Sequence, residues 1–488
     1  MLNSTPSATE LWEGIGGHFE NLSQVLCEFL DNSISNIIST SSVNRSIIIK
    51  ILPILDNEKF LISIEDGGQG ISNFEPIMRL GDRSVKQSPL NEHGFGLKHA
   101  LATANPGNDN WRICTRTAED LARQQYREIN ASYAFEYDEI VHHINAAPWP
   151  GLQNATGTYI EFTVSKELFN TLQSGIPGNA GFSRNLEYLA EDLGYIYAGV
   201  LSKGAVNIMV YTNNSTPDII VQPVTPDWID FYQSPPPGSV NLDLGNGDVL
   251  IEYCFGEMKE GRSVKYYKRN MSSSGIEIRV NGRLLMGNLF KEVWGLENHP
   301  SYNHFLGQIN IISDIPDRLP KTKTSKNSIR KEDPKLVKIL QWIRKIYPTP
   351  EKKLTNAISE REFIQNLAEL KELHIRTSSK RIETDFTVYK NIGSPVMVDL
   401  YLFDGIDVVL YEAKKNTADV KDFYQLLMYW DGLVSDGGIP TEGILLAPDF
   451  SPGVINVINS FNSKSDEQGN NYNFKTKTWT EEGINYPN

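Results

Sequence analysis

A multidomain α/β architecture is what this chain of 488 residues predicts. Its length is too great for a single hydrophobic core and suggests about three domains. Helical and strand-like periodicities alternate along the whole chain. Two breaks interrupt them, SGIPGNAGFSRN (Ser174–Asn185) and YPTPEKKLTNAIS (Tyr347–Ser359). The expected segments are therefore 1–183, 184–348 and 349–488. There is no internal repeat and no phosphate loop of the form GxxxxGK[ST].

Bulk properties narrow the class. Hydrophobic content of 40% and charged content of 22% are those of a soluble globular protein. No apolar run approaches the ~18 residues of a membrane span, and MLNSTPSATELWEG lacks a signal pattern, so a cytoplasmic protein is expected. Cys27, Cys114 and Cys254 are odd in number and far apart, which argues against a disulfide framework or zinc site and suits a reducing compartment. With a net charge of −14, any nucleic-acid surface must be local. Lys321–Lys353 is such a stretch, readable either as a solvated helix face or as a phosphate-tracking surface.

The first segment opens with ENLSQVLCEFLDNSISN (Glu20–Asn36), an amphipathic helix whose Phe19, Leu22, Leu26, Phe29 and Leu30 face a core. Glu28, Asp31 and Asn32 share one polar stripe at i, i+3 and i+4. That stripe is either a solvated face or a place where something cationic and polar is held. Two strands follow, and the second runs into Asp66-Gly67-Gly68-Gln69-Gly70. Closely spaced glycines let backbone approach a flat ligand while the carboxylate accepts a hydrogen bond, as from an adenine amine. Alone, the pattern is more often a tight turn after a strand. In MRLGDRSVKQSPLNEHGFGLKHALA (Met78–Ala102), Gly94 and Gly96 open a helix with Lys98 in its first turn. Exposed N–H groups at a helix start favour a phosphate. GTYIEF (Gly157–Phe162) begins a further strand.

In this order the four pieces resemble the GHKL ATPases (gyrase, heat-shock chaperone, histidine kinase and MutL), including their MORC branch. The resemblance implies a Bergerat-type α/β sandwich that binds ATP and Mg2+. It implies that Glu28 is the general base and Asn32 a magnesium ligand. Asp66, Gly68 and Gly70 would read adenine. GDRSVK resembles the lid segment of the MORC branch and puts Ser84 and Lys86 near the nucleotide. HGFGLK, with Gly94, Gly96 and Lys98, would be the phosphate-binding turn, and Gly157-Thr158 the fourth motif. Asn91 stands where the third motif often has a glycine, which bears on the lid hinge.

In the middle segment, Leu186–Tyr211 reads as a helix and then a strand (VNIMVY), and GIEIRVNGRLL and FLGQINIISDIP are strand-like. IRVNGRLL and the loop RLPKTKTSKNSI resemble the transducer domain of gyrase and MutL. That domain donates a lysine to the γ-phosphate, matched here by Lys321, Lys323 or Lys326, with Lys326 favoured. The resemblance also implies an ATP-dependent homodimer.

The last segment starts with the amphipathic helix SEREFIQNLAELKELH. SPVMVDLYLFDGIDVVLYEAKKN (Ser394–Asn416) then reads as a hairpin. A hairpin centred between Gly405 and Ile406 puts Asp399 opposite Glu412, and a tighter turn puts it opposite Leu410. Either register leaves Asp399, Glu412 and Lys414 on one face. Two carboxylates there suit magnesium, and the lysine can activate water or steady phosphate charge. The following helix presents Gln425 and Tyr429 one turn apart. The D…ExK…QxxxY pattern resembles the PD-(D/E)XK nucleases, particularly RecB-like members, over about Ser359–Pro452. It implies a restriction-endonuclease-like domain with Asp399 and Glu412 as metal ligands, Lys414 as the catalytic lysine, and Gln425 and Tyr429 as helpers. Glu362 or Glu369 would add an acidic group, with Glu362 preferred.

The expectation is an ATP-gated, Mg-dependent nuclease acting on DNA in preference to RNA, in prokaryotic genome defence or repair, open to a partner protein and independent of membranes. The rival expectation is an ATP-dependent clamp of MORC or chaperone type whose C-terminal domain binds without cutting.

Overall fold

The computed structural model describes residues 7–40, 44–55, 58–82, 94–323, 328–347, 349–350, 360–393 and 395–484. The chain forms two compact units, Met1–Lys353 and Leu354–Asn488, and both are α/β.

The first unit contains two sheets. The first has β1 (Ser46–Ile54), β2 (Lys59–Asp66), β3 (Trp111–Arg116), β4 (Gln125–Asn130), β5 (Ile140–His143), β6 (Gly157–Ser165), β7 (Asn207–Tyr211) and β8 (Ile219–Ile220), in the spatial order β5-β4-β3-β6-β2-β1-β7-β8. The helices Leu22–Thr40, Gly96–Ala104 and Phe182–Ile196 pack with this sheet through Phe29, Ile34, Ile49, Ile62, Leu101, Phe162 and Leu189. The strand VNIMVY, expected in the middle segment, belongs here: Ser46 through Lys50 pair in parallel with Asn207 through Tyr211. The expected boundary at residue 183 thus falls inside the first layer. An apolar run gives no signal of which sheet it joins, and β1 offered an edge to pair with.

The second sheet has β9 (Trp228–Phe231), β10 (Gly238–Asp243), β11 (Asp248–Met258), β12 (Gly275–Val280), β13 (Arg283–Met286) and β14 (Phe305–Ile312). Their order is β10-β11-β14-β12-β13, with β9 also on β11. The helix Pro334–Ile346 covers it with Leu336, Ile339 and Ile343. Asp333 caps that helix by accepting from the Lys335 N–H at 2.8 Å.

One turn fixes how the two sheets meet. Asn281 and Gly282, at φ 49° and 87°, join β12 to β13 as a two-residue hairpin, with Val280 paired to Arg283. Positive φ at both positions is what the Asn-Gly pair supplies. The Gly199 N–H donates to the Gly282 carbonyl at 3.2 Å, so backbone of the first layer lies directly on the turn.

The second unit is one mixed sheet of β15 (Arg381–Val388), β16 (Val396–Phe403), β17 (Val408–Ala413), β18 (Glu442–Leu446) and β19 (Phe474–Lys477), in that order. β15 to β17 are antiparallel, and β18 and β19 run parallel to β17. The helices Val420–Ser435 and Pro452–Phe461 share one core with Tyr401 and Leu410. The helix Glu360–His374 shares a separate core with Leu400, Leu402 and Tyr411.

The Gly282 turn yields a stability prediction. A Cβ at Gly282 would sit 2.8 Å from the Gly199 carbonyl carbon, and φ there is 87°. Gly282→Ala is expected to cost about 1–3 kcal/mol through backbone strain, and more through the clash. Thermal unfolding should show a lower midpoint for the transition of the first unit.

Candidate functional site

The helix Leu22–Thr40 builds one side of the first site. Asn21 starts it by accepting from the Gln24 N–H at 3.0 Å. Leu22, Val25, Leu26, Phe29, Leu30 and Ile34 are wholly buried, and so are the carboxylates of Glu28 and Asp31. Buried carboxylates need partners. For Asp31 these are the Arg283 guanidinium, whose Nε donates at 2.7 Å, and the Tyr197 hydroxyl at 2.8 Å. The polar stripe therefore divides. Asp31 is tied to the protein through its Oδ1, whereas its Oδ2 is buried and has no hydrogen-bond partner among the described residues. Glu28 and Asn32, on the same stripe, are the other candidates. The Asn32 Oδ1 is buried and has no hydrogen-bond partner among the described residues.

Asp66, at the end of β2, is buried beside this helix. Its Oδ2 accepts from the Ser33 hydroxyl at 3.1 Å, and its Oδ1 from the N–H groups of Gly68 at 2.9 Å and Thr158 at 3.3 Å. A carboxylate has about four lone-pair sites, so one acceptor position is left for a ligand amine. Burial pushes the Asp66 carboxyl up to about 6, against those three hydrogen bonds. The glycines fit closely: a Cβ on Gly68 would strike the Asn36 carboxamide, and Gly70, at φ 76°, lies under Thr115. Ser33, Asn36 and Thr115 belong to this site although sequence reasoning gave them no role. Ser33 adjoins Asn32, and that adjacency was its one visible signal.

Gly96 is the first residue of its helix, and Gly94 precedes it at φ 66°. The Lys98 side chain is turned inward. Its Nζ donates to the carbonyls of Ile77 at 2.6 Å, Arg79 at 3.1 Å and Gly94 at 2.6 Å, and burial lowers it to about 8. All three ammonium donors are thus filled, so the expectation that Lys98 faces a phosphate is corrected. It ties the glycine turn to the segment around Ile77. Ser84, Lys86, Asn91 and Lys326 lie outside the described residues, and Lys321 and Lys323 are exposed.

The second site lies on the second unit's sheet. Leu400 pairs with Tyr411, and that register continues to Asp399 opposite Glu412, the wider of the two turns considered above. Asp404 closes the turn by accepting from the N–H groups of Ile406 and Asp407. Asp399 accepts from the Ala413 N–H at 2.8 Å, and its charge acts on Glu412, whose two carboxyl oxygens are buried. Burial, followed by the Asp399 charge, pushes Glu412 up to about 8. The Lys414 ammonium pairs with Glu412 and lies 3.9 Å from Asp422. Burial alone would lower that ammonium, but Glu412, Glu360 and Asp399 hold it above its ordinary value. Burial, followed by the Glu412 charge, raises the Tyr429 hydroxyl well above its ordinary value. Gln425 sits one turn before Tyr429, exposed and without a hydrogen bond among the described residues.

The acidic group from the preceding helix is Glu360. It accepts from the Lys415 N–H at 2.9 Å and acts electrostatically on Asp399, Lys414 and Tyr429. The preference for Glu362 or Glu369 is corrected, because Glu360 is the helix's first residue and stands at the end nearest Lys415. Among the described residues, no group of three His, Cys, Asp or Glu side chains is arranged to hold a metal ion. The basic stretch forms the helix Pro334–Ile346, which buries Leu336, Ile339 and Ile343 and leaves Lys338 and Lys345 exposed. No described helix is long and apolar enough to cross a membrane.

No protein-family model matches the sequence, and no curated protein matches it at a significant level. Solved structures do resemble the fold. The N-terminal domain of a DNA repair protein is 13% identical at a TM-score of 0.41, covering 70% of this chain and 96% of that one. The B subunit of DNA gyrase from Myxococcus xanthus is 7% identical at a TM-score of 0.36, covering 66% of this chain and 87% of that one. The ATPase region of Saccharomyces cerevisiae topoisomerase II is 12% identical at a TM-score of 0.35, covering 63% of this chain and 77% of that one.

Asp66 generates a pH prediction. A ligand amine needs the carboxylate, which is present above about 6 and lost as pH falls through that value. Affinity for an adenine nucleotide should be flat above that pH and decline below it. Titration calorimetry from pH 5 to 8 would show it, with Asp66→Asn binding weakly and losing this component of the pH dependence.

Proposed function

We propose that this protein is an ATP-gated, Mg-dependent DNA nuclease, with ATP handled by the first unit and strand cleavage by the second. The observation that carries the nuclease half is the β16–β17 register, which sets Asp399 against Glu412 and puts Lys414 beside them. Two neighbouring carboxyls, one pushed up to about 8 by burial and by the charge of the other, form a place that a divalent cation would relieve of like charge. Asp399 and Glu412 would hold that cation, which supplies Lewis acidity toward a phosphodiester. The Lys414 ammonium would steady phosphate charge or orient water, and Glu360 would add a further acidic group beside the two carboxyls.

The ATPase half rests on Glu28, Asn32 and Asp66. Asp66 retains an acceptor for the adenine amine, and the buried, unpartnered Asn32 oxygen is the kind of ligand a hard cation takes. Glu28 would align and deprotonate the attacking water. The exposed lysines of the helix Pro334–Ile346 offer a surface that tracks a phosphate backbone. An ATP-dependent homodimer and a place in genome defence or repair extend the reading by analogy of architecture.

A clamp that binds DNA without cutting it is the second reading. It is favoured by the absence of a three-ligand metal cluster among the described residues.

Separable variants distinguish the two. Lys414→Ala should abolish magnesium-dependent cleavage of plasmid DNA while ATP turnover stays within about twofold of wild type. Glu28→Gln should lower ATP turnover by about 10²–10⁴-fold, the usual contribution of a general base. Cleavage surviving in Lys414→Ala would remove the nuclease assignment and leave the clamp.

A further inference from the structure

The helix Leu22–Thr40 is gripped on both sides of Glu28, and residues of the second sheet and its connections take part in each grip. C-terminal to Glu28, Asp31 takes Arg283 at 2.7 Å and the Tyr197 hydroxyl at 2.8 Å. N-terminal to Glu28, the Ser23 hydroxyl donates to Asp192 at 2.5 Å. Asp192 in turn holds the Tyr266 hydroxyl at 2.6 Å and the Lys265 ammonium at 2.5 Å. Lys265 and Tyr266 lie in the connection between β11 and β12, and Arg283 is the first residue of β13. Arg283 is also placed rigidly, since it leaves the Asn281-Gly282 turn that rests on Gly199.

We propose that Arg283 is a positioning residue for ATP hydrolysis, through which the second sheet sets the pose of Glu28. The inference rests on the reading of Glu28 as the general base. Glu28 and Asp31 are one turn apart on one face, and a helix is stiff along its axis, so moving Asp31 moves Glu28. Side chains of both are wholly buried and cannot adjust freely. A buried ion pair is often no more stabilising than apolar residues of the same volume, so stability alone does not call for arginine at this place. Its planar fork fixes direction as well as distance, which a lysine cannot reproduce. Displacements of the β12–β13 hairpin therefore reach the candidate base through one guanidinium, and hydrolysis becomes sensitive to the state of the second sheet.

The test compares Arg283→Lys and the neutral pair Asp31→Asn/Arg283→Gln with wild type in the full chain. It measures kcat and KM for ATP, the Kd of a non-hydrolysable ATP analogue with magnesium, and thermal stability. Glu28→Gln is run as the reference for loss of the base. The expected result is analogue binding within about threefold of wild type, with kcat lowered at least tenfold in the neutral pair and partly restored in Arg283→Lys. If the neutral pair does not fold, Asp31→Leu/Arg283→Met, matched in volume, replaces it under the same criterion. A folded pair variant with wild-type kcat overturns the proposal. Loss of binding and kcat in parallel overturns it too, since that reports damage to the whole site. Wild-type turnover in Glu28→Gln would instead remove the base assignment on which the proposal stands.

Discussion

The ion pair between Asp31 and Arg283 joins residues 252 positions apart and is buried on both sides. The rest of the first unit is arranged around that constraint. An uncompensated carboxylate at this depth would be prohibitive, so the second sheet must present its arginine to the first layer wherever the chain folds. The Asn281-Gly282 hairpin supplies the direction, the close approach of Gly199 supplies the distance, and Tyr197 adds a second donor to the same Asp31 oxygen. A helix that carries candidate chemistry at Glu28 and Asn32 is thereby fixed to a second element through Asp31.

Both candidate sites follow the same physical scheme. Each places a carboxyl where burial raises its proton affinity, and each surrounds it with a few directed donors. Asp66 is pushed up to about 6 with three donors on it. Glu412 is pushed up to about 8 beside Asp399, Lys414 and Tyr429. Such displaced carboxyls gather where charge is to be exchanged with a ligand. The first arrangement suits a flat base with an exocyclic amine, and the second suits a divalent cation and a phosphodiester.

Much of this was legible in the sequence wherever one short motif carries its own geometry. The glycines around Asp66 and the shared face of Asp399, Glu412 and Lys414 follow from local periodicity and turn chemistry. What was not legible depends on partners far along the chain. The stripe of Glu28, Asp31 and Asn32 is uniform in sequence, and the bonds that distinguish Asp31 come from Arg283 and Tyr197, far along the chain. Lys98 has the right spacing for a phosphate, yet the carbonyls of Ile77 and Arg79 claim it. Glu360 was missed because amphipathic periodicity places a helix axis well and its first residue poorly. The strand VNIMVY was assigned to the wrong layer because apolar alternation does not name a neighbour.

The central claim is that nucleotide state controls cleavage, and plasmid cleavage by the purified full chain with magnesium tests it most directly. Reactions without nucleotide, with ATP and with a non-hydrolysable analogue should differ in rate, and the nucleotide dependence should disappear in Asp66→Asn. Equal cleavage in all three would show a nuclease that ATP does not gate. Intact plasmid in all three, with ATP still consumed, would contradict the assignment of cleavage to the second unit.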